Sequence, residues 1–261
     1  MLELDAPYLI DPSLFLRRLD NAIAESYPVH PFSAGVDREG FIKLIVQYAA
    51  MSKAFPYIQC GAVYSAYSQS LGVVEHQENV QVSAAVGAFL AWDEFGGHEL
   101  VLRDGAKGLL TLTEVNRNFH SSMLCADMGK LLSVPFTAAR PDQHTTAYLE
   151  RLFKGLSNPG RNRNIAHMLA FERHAFAMIT ALQGAIVQLF GNEAMSEMGY
   201  FRAHIGDSGN GEAVHVAITG AMLEKLIRPA EQDDFLDECL AAYGMNQEWC
   251  ASLVDSSRAS S

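Results

Sequence analysis

The stretch NVQVSAAVGAFLAWDEFGGHEL, residues 79–100, decides the fold. Wound as a helix, Val80, Val82, Ala84, Ala85, Val86, Ala88, Phe89, Leu90, Ala91 and Trp92 point in every direction around the axis. A helix that is apolar all round is buried on all sides, so other helices must pack around it. Asp93, Glu94, His98 and Glu99 follow directly on that run. A lone buried carboxylate is costly to desolvate, so acids set into such a segment are expected to be paired or to hold a metal.

A second stretch repeats the pattern. Residues 164–190, NIAHMLAFERHAFAMITALQGAIVQLF, are apolar on most faces yet carry His167, Glu172, Arg173 and His174. Strand-like alternation is scarce in the rest of the chain, which makes the expected fold all-α. A first helix is predicted from Pro12 to Glu25, capped by Asp11. Tyr27 to Gly35 reads as a loop. A second helix follows Asp37 toward Ser70, with a kink or break at Pro56. The third covers 79–102 and the next 109–132. Another spans Asp142 to Gly155, with Pro141 in its first turn. After the long segment, Gly191 and Asn192 act as a stop. Helices from Glu193 to Ile205 and from Glu212 to Ile227 flank the breaker Gly206 to Gly211. One or two more follow Pro229. Residues 1–250 are expected to form one domain and 251–261 a disordered tail.

The net charge of -11 over 261 residues argues against a phosphate-backbone partner, and no basic cluster suggests an anionic membrane. No run approaches the roughly 20 apolar residues that span a bilayer. Cys60, Cys125, Cys239 and Cys250 form no Cys-x-x-Cys pair, which points to reduced thiols. With no basic n-region or apolar h-region at the N-terminus, a cytoplasmic location is expected.

Six residues are candidate metal ligands: Glu94, His98, Glu172, His204, Glu212 and His215. On one helix Glu94 and His98 share a face, about 6 Å apart along the axis. Glu172 can bridge two ions from an opposing helix. Glu212 and His215 have the i, i+3 spacing of helical di-iron sites. On an unbroken helix His204 would lie about 16 Å from His215, so the two can meet only if the Gly206 to Gly211 break turns the chain back. Asp207 competes with Glu212 for the acidic role. Carboxylate and imidazole donors suit iron or manganese. Asp93 or Glu99 can accept from a ligating histidine. His120, His167 and His174 read as core residues or as neighbours of the ligands. Tyr64 and Tyr67 read as packing residues, and Glu75, His76 and Glu78 as a solvated helix start.

In their order these motifs resemble the haem-oxygenase-like di-iron oxidases. That family places a Glu and a His on one helix, a Glu on a second, and a His, an acid and a His on a third. Trp92 to His98, Ala170 to His174, and Tyr200 to His204 followed by Glu212 to His215 resemble these elements. Two departures stand out. Position 101, where many members carry the first histidine, is Val101, so His98 must replace it. The gap between His204 and Glu212 is four residues longer than usual. The resemblance implies a seven-helix bundle without haem, two ferrous ions per chain and O2 as co-substrate. It also implies oxidation of a small amine or amino-acid-derived molecule, by N-oxygenation or oxidative C–C cleavage, as in biosynthetic enzymes. Glu94, Glu172 and His215 are the expected catalytic core, and Arg173 and Tyr200 are candidate substrate anchors. A homodimer is the default assembly.

Two other classes stay open. A thiaminase-like hydrolase or a cofactor-independent oxidase of this fold would need no metal, and the hydrolase would use Cys60 or Cys125 as nucleophile. A non-enzymatic interaction or iron-binding bundle is the third. An iron-storage bundle would normally carry two Glu-x-x-His motifs, and only Glu212 to His215 is present.

Overall fold

The structure is a computed structural model that describes residues 12–108, 110, 118–205 and 211–258. Every α-element among them packs into one helical bundle: α1 (Pro12–Ser26), α2 (Arg38–Ser70), α3 (Val74–Glu94), α4 (Gly97–Asp104), α5 (His120–Leu132), α6 (Gln143–Leu156), α7 (Arg161–Phe190), α8 (Gly199–Ile205), α9 (Gly211–Leu226) and α10 (Gln232–Arg258). The described residues contain no strand. None of their helices is long and apolar enough to cross a membrane.

The first half of α7, from Asn164 to His174, lies in the interior apart from the half-buried Arg173. α3 is not buried all round as its composition predicts: Gln81, Ala85 and Ala88 form an exposed stripe. α7 packs against α3, α6, α8, α9 and α10, and α3 lies along α2. One contiguous core runs through Phe15, Phe41, Tyr48, Leu90, Leu124, Leu152, Leu182, Phe201 and Phe235. Each such side chain contributes about 1.5–3 kcal/mol on burial. Phe55 stacks on Phe171 at 4.1 Å and ties α2 to α7.

Local signals set most boundaries. Asp37 caps α2 by accepting from the Gly40 N–H at 2.8 Å. Asp142 caps α6 by accepting from the Thr145 N–H at 2.7 Å, which leaves Pro141 outside the helix rather than in its first turn. Pro56 does not end α2, which continues to Ser70. Asp11, the expected cap of α1, lies outside the described residues, as does most of the segment before His120.

Three elements differ from expectation. The helix expected over 193–205 is a short turn, Asn192–Met195, followed by α8. The expected C-terminal tail is helical as far as Arg258. Leu253, Val254 and Ser257 are buried there, and Arg258 donates to the carbonyls of Ala34 and Gly35 at 2.8 and 2.7 Å. The resemblance implies seven helices, and the described residues form ten, in part because the 79–102 helix is broken.

That break positions the site. α3 stops at Glu94, Gly96 takes a left-handed conformation with φ of 73°, and α4 restarts at Gly97. A Cβ on Gly96 would stand 2.5 Å from the Asn118 carbonyl oxygen. One on Gly97 would run into the Trp92 indole. This close approach, with Phe95 against Phe119 at 5.0 Å, brings the start of α5 to the end of α3. Gly96→Ala is therefore expected to destabilise the fold by about 3 kcal/mol, from left-handed strain plus the collision. In a chain of this size that lowers the melting temperature by roughly 10 °C in calorimetry.

Candidate metal centre

Two polar groups sit side by side where α3 meets α5, α7, α8 and α9. In the first, Glu94 faces two imidazoles. His120 Nδ1 lies 3.4 Å and His204 Nε2 3.7 Å from Glu94 Oε1. Each of the three residues offers a ligand atom within 4.8 Å of the others'. The His120 and His204 rings meet edge to face at 4.6 Å. His204 Nδ1–H donates to the Tyr200 carbonyl at 2.8 Å, which turns Nε2 toward Glu94. Tyr200 N–H donates to Asp127 Oδ2 at 2.8 Å and so anchors α8 on α5, the helix that carries His120. Neither nitrogen of His120 has a hydrogen-bond partner. Burial opposes ionisation of Glu94, but the His120 and His204 rings outweigh it and hold the carboxyl below the usual range.

In the second group His215 lies between two acids. Its Nε2 is 2.7 Å from Asp93 Oδ2 and its Nδ1 3.1 Å from Glu172 Oε2. Asp93 Oδ1 also meets His98 Nδ1 at 3.2 Å. Burial pushes Asp93 up, and the bond to His215 more than offsets this, so its carboxyl is held low. Glu172 Oε1 is buried with no hydrogen-bond partner. Thr219 Oγ1 donates to the His215 carbonyl at 2.8 Å on the same face of α9.

The groups join at a cavity of about 30 Å³, room for a single water-sized molecule. Glu94, Glu172 and His204 form its polar side. Tyr48, Met51, Phe55, Phe171, Met178 and Tyr200 line the rest. The Tyr48 and Tyr200 hydroxyls are 2.6 Å apart.

The structure thus gathers Glu94, His98, Glu172, His204 and His215, but it groups them differently from the sequence. Glu94 and His98 do not share a helical face, because the Gly96 turn separates them. His98 goes to Asp93, and Glu94 goes to His204. Asp207 and the side chains of Glu212 and Glu99 lie outside the described residues. Arg173 turns away to Asp20 on α1, with Nε to Oδ1 at 2.9 Å, whereas Tyr200 lines the cavity. His120 went unrecognised as a candidate. Its nearest acids in sequence are Glu114 and Asp127, so no local spacing marks it; only the Gly96–Asn118 contact does. Cys60 is exposed, and burial raises the Cys125 thiol despite the Ala138 backbone and Lys53 beside it. Neither lines the cavity.

His167 behaves as a core histidine. It is pressed against Gly155, and burial, reinforced by Arg163 and Arg151, lowers its pKa to about 4 from 6.5. The unfolded ring binds a proton below about pH 6.5, and the folded one only near pH 4. Its contribution to stability is therefore complete above pH 6.5 and lost as pH falls toward 4. His167→Phe is expected to remove about one proton of uptake on unfolding near pH 5. Denaturant melts across pH 4–7 measure it as a flatter dependence of stability on pH.

No model of a known protein family matches the sequence, and no curated protein matches it. Solved structures do. Two crystal structures of a CADD-like protein of unknown function from Nostoc punctiforme PCC 73102 superpose over nearly the whole chain. One is 15% identical with a TM-score of 0.65, covering 95% of this chain and 98% of that one. The other is 14% identical with a TM-score of 0.67, covering 96% and 97%. The chain has the CADD-like fold. At this identity the likeness describes the helical bundle, and the chemistry rests on the side chains above.

Proposed function

We propose that this protein is a non-haem di-iron oxidase or oxygenase that acts on a small amine or amino-acid-derived substrate. One observation carries the reading: Asp93, Glu94 and Glu172 are gathered with His98, His120, His204 and His215 beside a largely apolar cavity, and Glu172 Oε1 and both His120 nitrogens lack a hydrogen-bond partner. Buried polar atoms are rarely left unpaired, and carboxylate and imidazole atoms left so side by side suit metal ligands. The donor set is hard oxygen plus imidazole, which fits iron or manganese better than a thiolate-type zinc site. Similarity to a CADD-like fold agrees with the motif resemblance.

Glu94, His120 and His204 would hold one ion. Glu172 and His215 would hold the other, with Asp93 or His98 completing or orienting it. Glu212, three residues before His215, is a further candidate. When bound, the irons supply the electrons and open positions needed to reduce O2. The chain supplies the rest. Met51, Phe55, Phe171 and Met178 keep bulk water from the polar wall. The Tyr200 carbonyl fixes the His204 tautomer. Asp93 holds His98 and His215 in register. The Tyr48–Tyr200 hydroxyl pair and Ser52 are further polar groups of the cavity lining.

Anaerobic titration with ferrous iron tests the reading. About two irons per chain, and an O2-dependent optical transient after mixing with air, are the expected results. Binding of both ions also raises the melting temperature, by mass action on the folded state. O2 consumption and product formation that ignore iron would overturn it. The substrate class is then read by supplying amines and amino acids and searching for hydroxylated-nitrogen or cleaved products.

A further inference from the structure

α7 carries a second polar group, joined to the cavity beside Glu172 only through Met178. His174 and Met178, one turn apart, meet Cys250 on α10 and His30 in the loop after α1. His30, His174 and Cys250 each present a donor atom, all within 4.8 Å of one another. Cys250 Sγ lies 3.7 Å from Met178 Sδ. Cys250 is fully buried, and His174 is only 1% exposed. The Nε2 atoms of both histidines are buried without a hydrogen-bond partner. Their rings stand 5.1 Å apart, with Phe32 edge-on to one and Tyr243 edge-on to the other. His30 is the partly exposed member of the group.

Two imidazoles and a thiol close together, with two orphaned nitrogens and a thioether beside the thiol, form a soft donor set. No carboxylate belongs to it, in contrast to the group around Glu94.

We propose that His30, His174, Cys250 and Met178 form a second metal site, for a thiophilic d10 ion, copper(I) on this donor set. Zinc(II) would use the thiolate and imidazoles but gains little from a thioether. Loading is a ligand exchange with no change of oxidation state. The Cys250 thiol gives its proton to solvent and its sulfur lone pair to the ion. His30 shifts tautomer. Its Nδ1 now accepts from the Phe32 N–H at 3.2 Å, so the neutral ring carries its proton on Nε2. Coordination through Nε2 moves that proton to Nδ1 and releases Phe32.

The full-length chain is titrated anaerobically with copper(I), against a competing chelator, and separately with zinc(II) and cobalt(II). One copper(I) per chain is expected, with faster amide exchange at Phe32. Cobalt(II) is expected to show a thiolate-to-metal charge-transfer band. Cys250→Ser should weaken copper(I) by at least about 100-fold and abolish the cobalt band, while Met178→Leu should weaken copper(I) roughly tenfold and leave zinc(II) unchanged. Glu172→Gln should leave the copper(I) affinity intact, which separates this site from the iron site. Two results overturn the proposal: no thiolate band in the wild-type chain, or copper(I) affinity unchanged in a folded Cys250→Ser variant. The wild-type measurement decides even if the variants fail to fold.

Discussion

Glu172→Gln is expected to abolish loading of the second iron and its O2 chemistry while leaving the metal-free chain about as stable as before. Glu172 is 2% exposed, one oxygen bonds His215, and the other has no partner. A buried carboxylate so placed adds little to metal-free stability, because its desolvation is only half offset. Glutamine keeps the volume and a bond to His215 but removes the charge that an iron ion needs. His215 is not stranded, since Asp93 holds its other nitrogen at 2.7 Å. The expected change in metal-free stability is within about 1 kcal/mol, and iron content should fall from about two per chain to one or fewer. Thermal melts of metal-stripped protein and a colorimetric iron assay measure the two. A structural ion pair would give the opposite pattern, with a large loss of stability in the stripped chain, of about 3–5 kcal/mol, and no change in iron. That outcome would sink the ligand role of Glu172.

The parts of this molecule that the sequence reveals are those governed by local rules. Residues 79–94 are apolar all round and 164–190 on most faces; they form most of α3 and α7, although Gln81, Ala85 and Ala88 of α3 and Phe176 and Thr180 of α7 face outward. Asp37 and Asp142 begin helices because their side chains can reach backbone N–H groups three residues on. Glu172 stands out because an acid in such a segment needs a partner. What was not legible depends on contacts across the chain. Gly96 and Gly97 look tolerable inside a helix, and only the approach of Asn118 and Trp92 forces the left-handed turn there. Once that turn forms, the pairing of Glu94 with His98 is lost, and Asp93 takes His98. Residues 251–258 read as a polar tail because serines dominate them, yet the spacing of Leu253, Val254 and Ser257 continues the buried face of α10. Pro56 lacks an N–H, but packing on both sides of α2 holds the helix through it.

His120→Ala is expected to have the second large effect, and it tests the residue that no spacing reveals. His120 is one of three donors around Glu94, and its nitrogens bond to nothing else. Truncating it leaves Glu94 and His204, too few donors to retain an ion against solvent. Iron should fall from about two per chain to about one, and O2-dependent activity by at least about 100-fold. Added imidazole should restore part of both, because the truncation leaves a buried space that a free ring fits. His98→Ala provides the contrast. His98 is 28% exposed and touches Asp93 rather than the Glu94 group. Its loss should weaken the His215 side and leave the Glu94 ion in place. If His98→Ala empties the Glu94 group while His120→Ala leaves both irons bound, the ligands follow the sequence spacing and not the packing around Gly96. The opposite result assigns the first ion to the contact between the end of α3 and the start of α5, which exists only because position 96 has no side chain.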